Sequence, residues 1–118
     1  MPSNEQVVRA VMDFYNARNL EGFISCFSPD IVEVDGEGNQ LVKGLENMRQ
    51  HYAKLFDGSP RLHAETMVRI VGGQYVFAEI HETGINFEGL PSELHLAAVF
   101  HVVDRKIIRA QMFLLTEA

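Results

Sequence analysis

After Pro60 the hydrophobic period of this chain changes to two and stays there, and that change dictates its architecture. Before Pro60 apolar residues recur at helical spacing; after it they alternate. Ser3 and Gln6 form a capping-box pattern, and Val7, Val8, Val11, Met12, Phe14 and Tyr15 follow as one wide apolar face. Asn19 caps a short second helix with Leu20, Phe23, Ile24 and Phe27 on one side. Ser28-Pro29-Asp30 ends it, because proline supplies no helical donor. Residues 31–35 read as a strand closed by Gly36-Glu37-Gly38-Asn39, and 40–43 as a short extended piece. Leu45, Met48, Tyr52, Leu55 and Phe56 mark a third helix, stopped by Gly58-Ser59-Pro60.

Beyond Pro60, strands are expected over 61–71, 75–85, 94–103 and 106–115. Gly72-Gly73 and Asp104-Arg105 supply tight turns, and 86–92 is a loop. Three helices followed by long antiparallel strands define an α+β fold. Strands this long, against a usual five or six residues, predict a strongly curved sheet. Wrapped around a helix, such a sheet leaves a hollow suited to a small molecule.

Composition removes several function classes. The 118 residues fit a single domain spanning 1–118. Sixteen acidic residues against ten basic give a net charge of −6, with no Lys/Arg run, so neither nucleic acid nor an anionic membrane is an expected partner. No apolar stretch approaches the roughly 20 residues that span a bilayer. The opening residues carry no basic segment followed by an apolar core, so a soluble, cytoplasmic protein is expected. Cys26 is the lone cysteine, which excludes an internal disulfide framework and a Cys-rich zinc site. Glu79 with His81, and His63 with Glu65, offer two candidate ligands each, too few for a metal site. With no Gly-x-Ser-x-Gly, Walker A or dinucleotide fingerprint, no metal and no cofactor are expected.

The segment Tyr15-Asn16-Ala17-Arg18-Asn19-Leu20-Glu21-Gly22-Phe23, continuing through Phe27 to Asp30, carries a family resemblance. A helix, then N-A-x-[DN]-L-[DE]-G, then F-x-x-D before a strand, resembles the nuclear transport factor 2-like superfamily. It is most similar to the ketosteroid isomerase and SnoaL-like branch. Gly44, Met48, Tyr52 and the order of the later strands extend the likeness over nearly the whole chain. The resemblance implies a cone-shaped fold with a deep pocket and a homodimer through the outer sheet face. It also implies a catalytic aspartate five residues after the F-x-x-D aspartate, where Asp35 stands, and a pocket tyrosine matching Tyr52. The family's oxyanion donors, a tyrosine on the first helix and a protonated acid on the penultimate strand, fall on Val11 and on or near Val99.

The candidate residues follow from this. Asp35 is the expected base; its other reading is a turn residue bonding its own backbone. Tyr15, one turn beyond Val11, and Tyr52 each carry a hydroxyl able to replace a lost oxyanion donor, or to sit satisfied in the core. By the family pattern, His95, Ala97, Val99 and His101 face the cavity, which makes His101 a candidate donor. Glu79 and His81 lie opposite the apolar set Val76, Ala78 and Ile80 and are read as interface or solvent residues. Phe27, Met112 and Leu114 complete an apolar pocket with Val11, Tyr15 and Val99. Two functions are open. One is a cofactor-free isomerase or cyclase acting on a carbonyl compound through Asp35, Tyr52 and His101. The other is a non-catalytic ligand-binding or dimerisation module on the same scaffold.

Overall fold

Ser3 caps the first helix as its pattern predicts. In the computed structural model, which describes residues 3–115, its hydroxyl accepts from the Gln6 N–H at 3.2 Å while Gln6 accepts from the Ser3 N–H at 2.8 Å. Helix α1 (Asn4–Ala17) buries Val7, Val8, Val11 and Tyr15, a stripe at i, i+1, i+4 and i+8. Each such side chain contributes about 1.5–3 kcal/mol on leaving water. Arg18 closes the helix in the left-handed region, with φ 53°. Asn19 then accepts from the Gly22 N–H and starts α2 (Leu20–Ile24). Gly22 is where the two helices touch, since a Cβ there would lie 2.4 Å from the Phe14 ring.

Helix α2 ends earlier than its apolar spacing suggests. Strand β1 (Phe27–Asp35) already includes Phe27, Ser28 and Pro29, and Phe27 pairs with Ile107. Proline is tolerated because the ladder is irregular between Phe27 and Val32. Strand β2 (Gln40–Lys43) hairpins back onto β1, and α3 (Leu45–Gly58) buries Met48, Tyr52, Leu55 and Phe56. Strands β3 (His63–Gly72), β4 (Tyr75–Thr83), β5 (Leu94–Val103) and β6 (Lys106–Leu114) complete the sheet.

The sheet order is β2-β1-β6-β5-β4-β3, antiparallel throughout except for the parallel β1–β6 pair. That pair closes the N-terminal half of the chain onto the C-terminal half. Register shifts in β1, at Met67 in β3 and between His101 and Val102 in β5 bend the sheet around the helices. The bulge at Met67 also exchanges faces. Thr66 pairs with Ile80 on the core side, whereas Val68 and Ile70 pair with Glu79 and Phe77 on the outer side.

Parity on β5 is the reverse of the family-based expectation. Leu96, Ala98, Phe100 and Val102 are buried, so His95, Ala97, Val99 and His101 face outward. The apolar run 94–103 fits either face by hydrophobicity alone. The two histidines on the odd positions decide it, because their polar edges need partners outside the core. His101 stacks on Tyr75 and meets Gln74 at 3.0 Å, and Val99 sits between Phe77 and Gln111. Neither lines the cavity, which corrects both expectations. Glu79 and His81 also face outward, where they meet His95 at 2.6 Å and Glu93 at 3.1 Å.

Among the described residues no helix is long and apolar enough to cross a membrane, and no group of three or more His, Cys, Asp or Glu could hold a metal ion.

Candidate functional site

Between α1, α3 and the concave side of the sheet lies a cavity of about 430 Å3. A smaller lobe of about 60 Å3 reaches toward α1, lined by Val11, Phe23 and Phe27. Tyr15, Glu33, Tyr52 and Glu82 belong to both walls, so they occupy the neck between the two spaces. Most of the remaining lining is apolar: Leu55, Ile85, Leu94, Leu96 and Met112. Leu41 and Leu114 stand at the rim, 56% and 60% exposed.

The neck is built by ordinary periodicity. On β1, Ile31, Glu33 and Asp35 share one face, and Glu33 pairs beside Ala110 of β6, which is fully buried. On β4 the core-facing series Val76, Ala78, Ile80 continues to Glu82. From the helices, Tyr15 lies one turn beyond Val11, and Tyr52 one turn beyond Met48. Their rings meet edge to face at 6.3 Å and share an aromatic cluster with Phe23 and Phe56.

Polar contacts in the neck pair each tyrosine with one acid. The Tyr52 hydroxyl donates to Glu33, 2.9 Å from Oε2 and 3.1 Å from Oε1. The Tyr15 hydroxyl donates to Oε1 of Glu82. Burial dominates the acidity of both carboxyls. It pushes Glu33 up to about 7, opposed by the Tyr52 hydrogen bond and reinforced by the Glu82 charge. Glu82 is raised by burial and partly restored by the Tyr15 bond. Both phenols are held well above their ordinary range, by burial first and then by the neighbouring carboxylates. His51 borders the cavity with its ring against Tyr52 and Phe87, and burial, then the Lys54 charge, lowers its pKa.

Asp35 has a different setting. Its Oδ1 accepts from the Glu37 and Asn39 amides at 2.9 and 2.8 Å, and its Oδ2 from the Asn39 side chain at 3.1 Å. These bonds hold its pKa below the usual carboxylate value. The carboxylate caps the β1–β2 hairpin at the cavity mouth, with its side chain in solvent. Of the sequence-derived candidates, the structure thus gathers Tyr15, Tyr52, Val11, Phe27, Met112 and Leu114 around the cavity, and leaves Asp35 at its rim. His101 and Val99 are on the other side of the sheet.

Glu33 and Glu82 were not among the candidates. The available signal was parity: each continues an otherwise apolar alternation, Ile31-x-Glu33 and Ala78-x-Ile80-x-Glu82. An acid on the inward face of a strand is the informative exception.

A family model for the SnoaL-like domain matches residues 8–110, from the first helix to the last strand. The chain belongs to the SnoaL-like family. Solved structures share its fold. A cystatin-fold protein from Novosphingobium aromaticivorans superposes with a TM-score of 0.86 at 26% identity, over 95% of this chain and 98% of that one. A proposed ketosteroid isomerase from Kribbella flavida gives 0.80 at 15%, over 98% and 79%. A proposed SnoaL-like polyketide cyclase from Jannaschia gives 0.77 at 21%, over 95% and 85%. Comparison with curated proteins yields no match. The SnoaL-like assignment confirms the α+β architecture of curved sheet and three helices, and it leaves the chemistry to be argued from the neck residues.

Proposed function

We propose that this SnoaL-like protein is a cofactor-free enzyme that moves a proton on an apolar, carbonyl-containing small molecule, with Glu33 as the base. The carrying observation is a buried carboxyl in the cavity wall, hydrogen-bonded to Tyr52, where burial pushes its pKa up to about 7. A base is most effective when its pKa sits near the working pH, and here burial, helped by the Glu82 charge, moves it there. The Asp35 carboxylate is held by hydrogen bonds of the β1–β2 hairpin and lowered in pKa, so it is the poorer base. When Glu33 takes the substrate proton it needs the Tyr52 donor less, and that hydroxyl is freed to steady the developing enolate oxygen. The apolar surround excludes water and strengthens both interactions.

The test is exchange of α-protons in D2O, followed by NMR on a ketone panel that includes a β,γ-unsaturated ketosteroid. Wild type accelerates exchange, and Glu33→Gln lowers the rate by about 10²-fold or more while Asp35→Asn retains it. Loss in Asp35→Asn with retention in Glu33→Gln would overturn the assignment, as would no acceleration by wild type on any ketone.

The same reading includes a homodimer through the outer sheet face. Val68, Ile70, Tyr75 and Phe77 are 43–59% exposed there and form one patch across β3 and β4. A contiguous apolar patch of this kind favours self-association.

A further inference from the structure

Glu33 and Glu82 line one cavity, and among the described lining residues there is no lysine or arginine. Their polar partners in the wall are two phenols, both of which donate. The carboxylates are therefore placed as acceptors with lone pairs to spare. Tyr52 engages both oxygens of Glu33, whereas Tyr15 reaches Oε1 of Glu82, leaving Oε2 for a ligand. A buried carboxylate is stable when a cation or a proton neutralises it. The rings of Tyr15 and Tyr52 beside it add faces that attract a cation.

We propose that the cavity takes an apolar amine as its ammonium ion, seated against Glu82 and the tyrosine rings. The inference concerns ligand charge and stands apart from proton transfer by Glu33. The ionisable groups sharing the cavity with Glu82 are Tyr15 from α1, Glu33 and Asp35 from β1, His51 and Tyr52 from α3, and Glu88 from the loop after β4. All are acidic or phenolic except His51, whose lowered pKa keeps it neutral at pH 7 and removes a competing cation. In the empty cavity burial favours a proton on Glu82. The ammonium must displace that proton, so amine affinity climbs with pH and weakens below the Glu82 pKa by up to about tenfold per pH unit.

Calorimetry with cyclohexylamine, protonated throughout, and cyclohexanol as its neutral isostere tests this from about pH 4 to 8, which spans the ordinary carboxylate value and the range above it. The amine is expected to bind about tenfold more tightly than the alcohol at the upper end and to lose that advantage on acidification, releasing a proton on binding wherever Glu82 is still protonated. Glu82→Gln, shown folded by its near-ultraviolet dichroism, abolishes the preference. Glu93→Gln, which removes a charge on the outer face, preserves it. Equal binding of amine and alcohol, an amine affinity indifferent to pH and to Glu82→Gln, or no binding of either compound would overturn the proposal. Each of these outcomes leaves the Glu33 exchange assay to be decided on its own.

Discussion

Replacing Glu33 by glutamine should change how stability depends on pH more than stability itself. Burial raises this carboxyl from 4.5 to about 7 in the folded protein. The unfolded chain ionises it near 4.5, so between those values the folded state binds more protons and stability falls as pH rises. Each pKa unit is worth 1.36 kcal/mol, which makes the loss about 3 kcal/mol once pH exceeds 7. Below pH 4.5 the group is neutral in both states and the penalty vanishes. Glutamine keeps the shape, still accepts from Tyr52, and cannot ionise. Urea unfolding of both proteins from about pH 4 to 8 should therefore give curves that meet in acid and diverge toward neutrality, with Glu33→Gln the more stable at pH 8. Glu82, also raised by burial, tilts both curves, and in the variant it is relieved of repulsion from Glu33, which widens the divergence in the same direction. A shift of about 3 kcal/mol is large against the 5–15 kcal/mol of a typical domain, so it is readily measured. Parallel curves across the whole range would refute the buried-acid reasoning.

Tyr52→Phe removes the donor to a buried carboxyl and should cost about 1–3 kcal/mol at neutral pH, read by the same denaturation. Gly84→Ala should destabilise by at least about 1 kcal/mol, because φ is +73° and the new Cβ would lie 2.1 Å from the Arg61 carbonyl oxygen; a thermal melt unchanged from wild type would contradict this. His101→Ala should leave ketone exchange unaltered, since its ring lies outside the cavity against Tyr75 and Gln74. Phe77→Glu should convert a dimer to a monomer on size exclusion, if the patch on β3 and β4 is the interface; a wild type that elutes as a monomer would dismiss the dimer.

Much of the fold was legible because local signals and global architecture agree. The capping box at Ser3, the Asn19 cap and the stop at Gly58-Ser59-Pro60 each mark a boundary by its own chemistry, and β2 and β5 occupy the residues their patterns predict. The failures have physical causes. The Leu20-to-Phe27 stripe suits a helix, yet pairing with Ile107 draws Phe27 into β1. In β3 the bulge at Met67 breaks a period of two that the residue types do not reveal. On β5, apolar residues on both faces let a family pattern decide the parity, and it chose the wrong face. The residues of the cavity wall were less legible than the fold. The resemblance pointed to Tyr52 and Asp35, and it passed over the acid two residues earlier that the structure buries in the cavity wall. Glu33 was missed because a carboxylate is expected in water, whereas its alternation with Ile31 already placed it inside.

Burial pushes the Glu33 carboxyl up to about 7, and its titration can be observed directly. Carbon-13 NMR of protein labelled at the carboxyl carbons of glutamate and aspartate would follow each group, with Glu33→Gln and Asp35→Asn fixing the assignments. Glu33 should titrate near 7 and Asp35 below the ordinary carboxylate range. A Glu33 resonance titrating near its ordinary value of 4.5 would contradict the account.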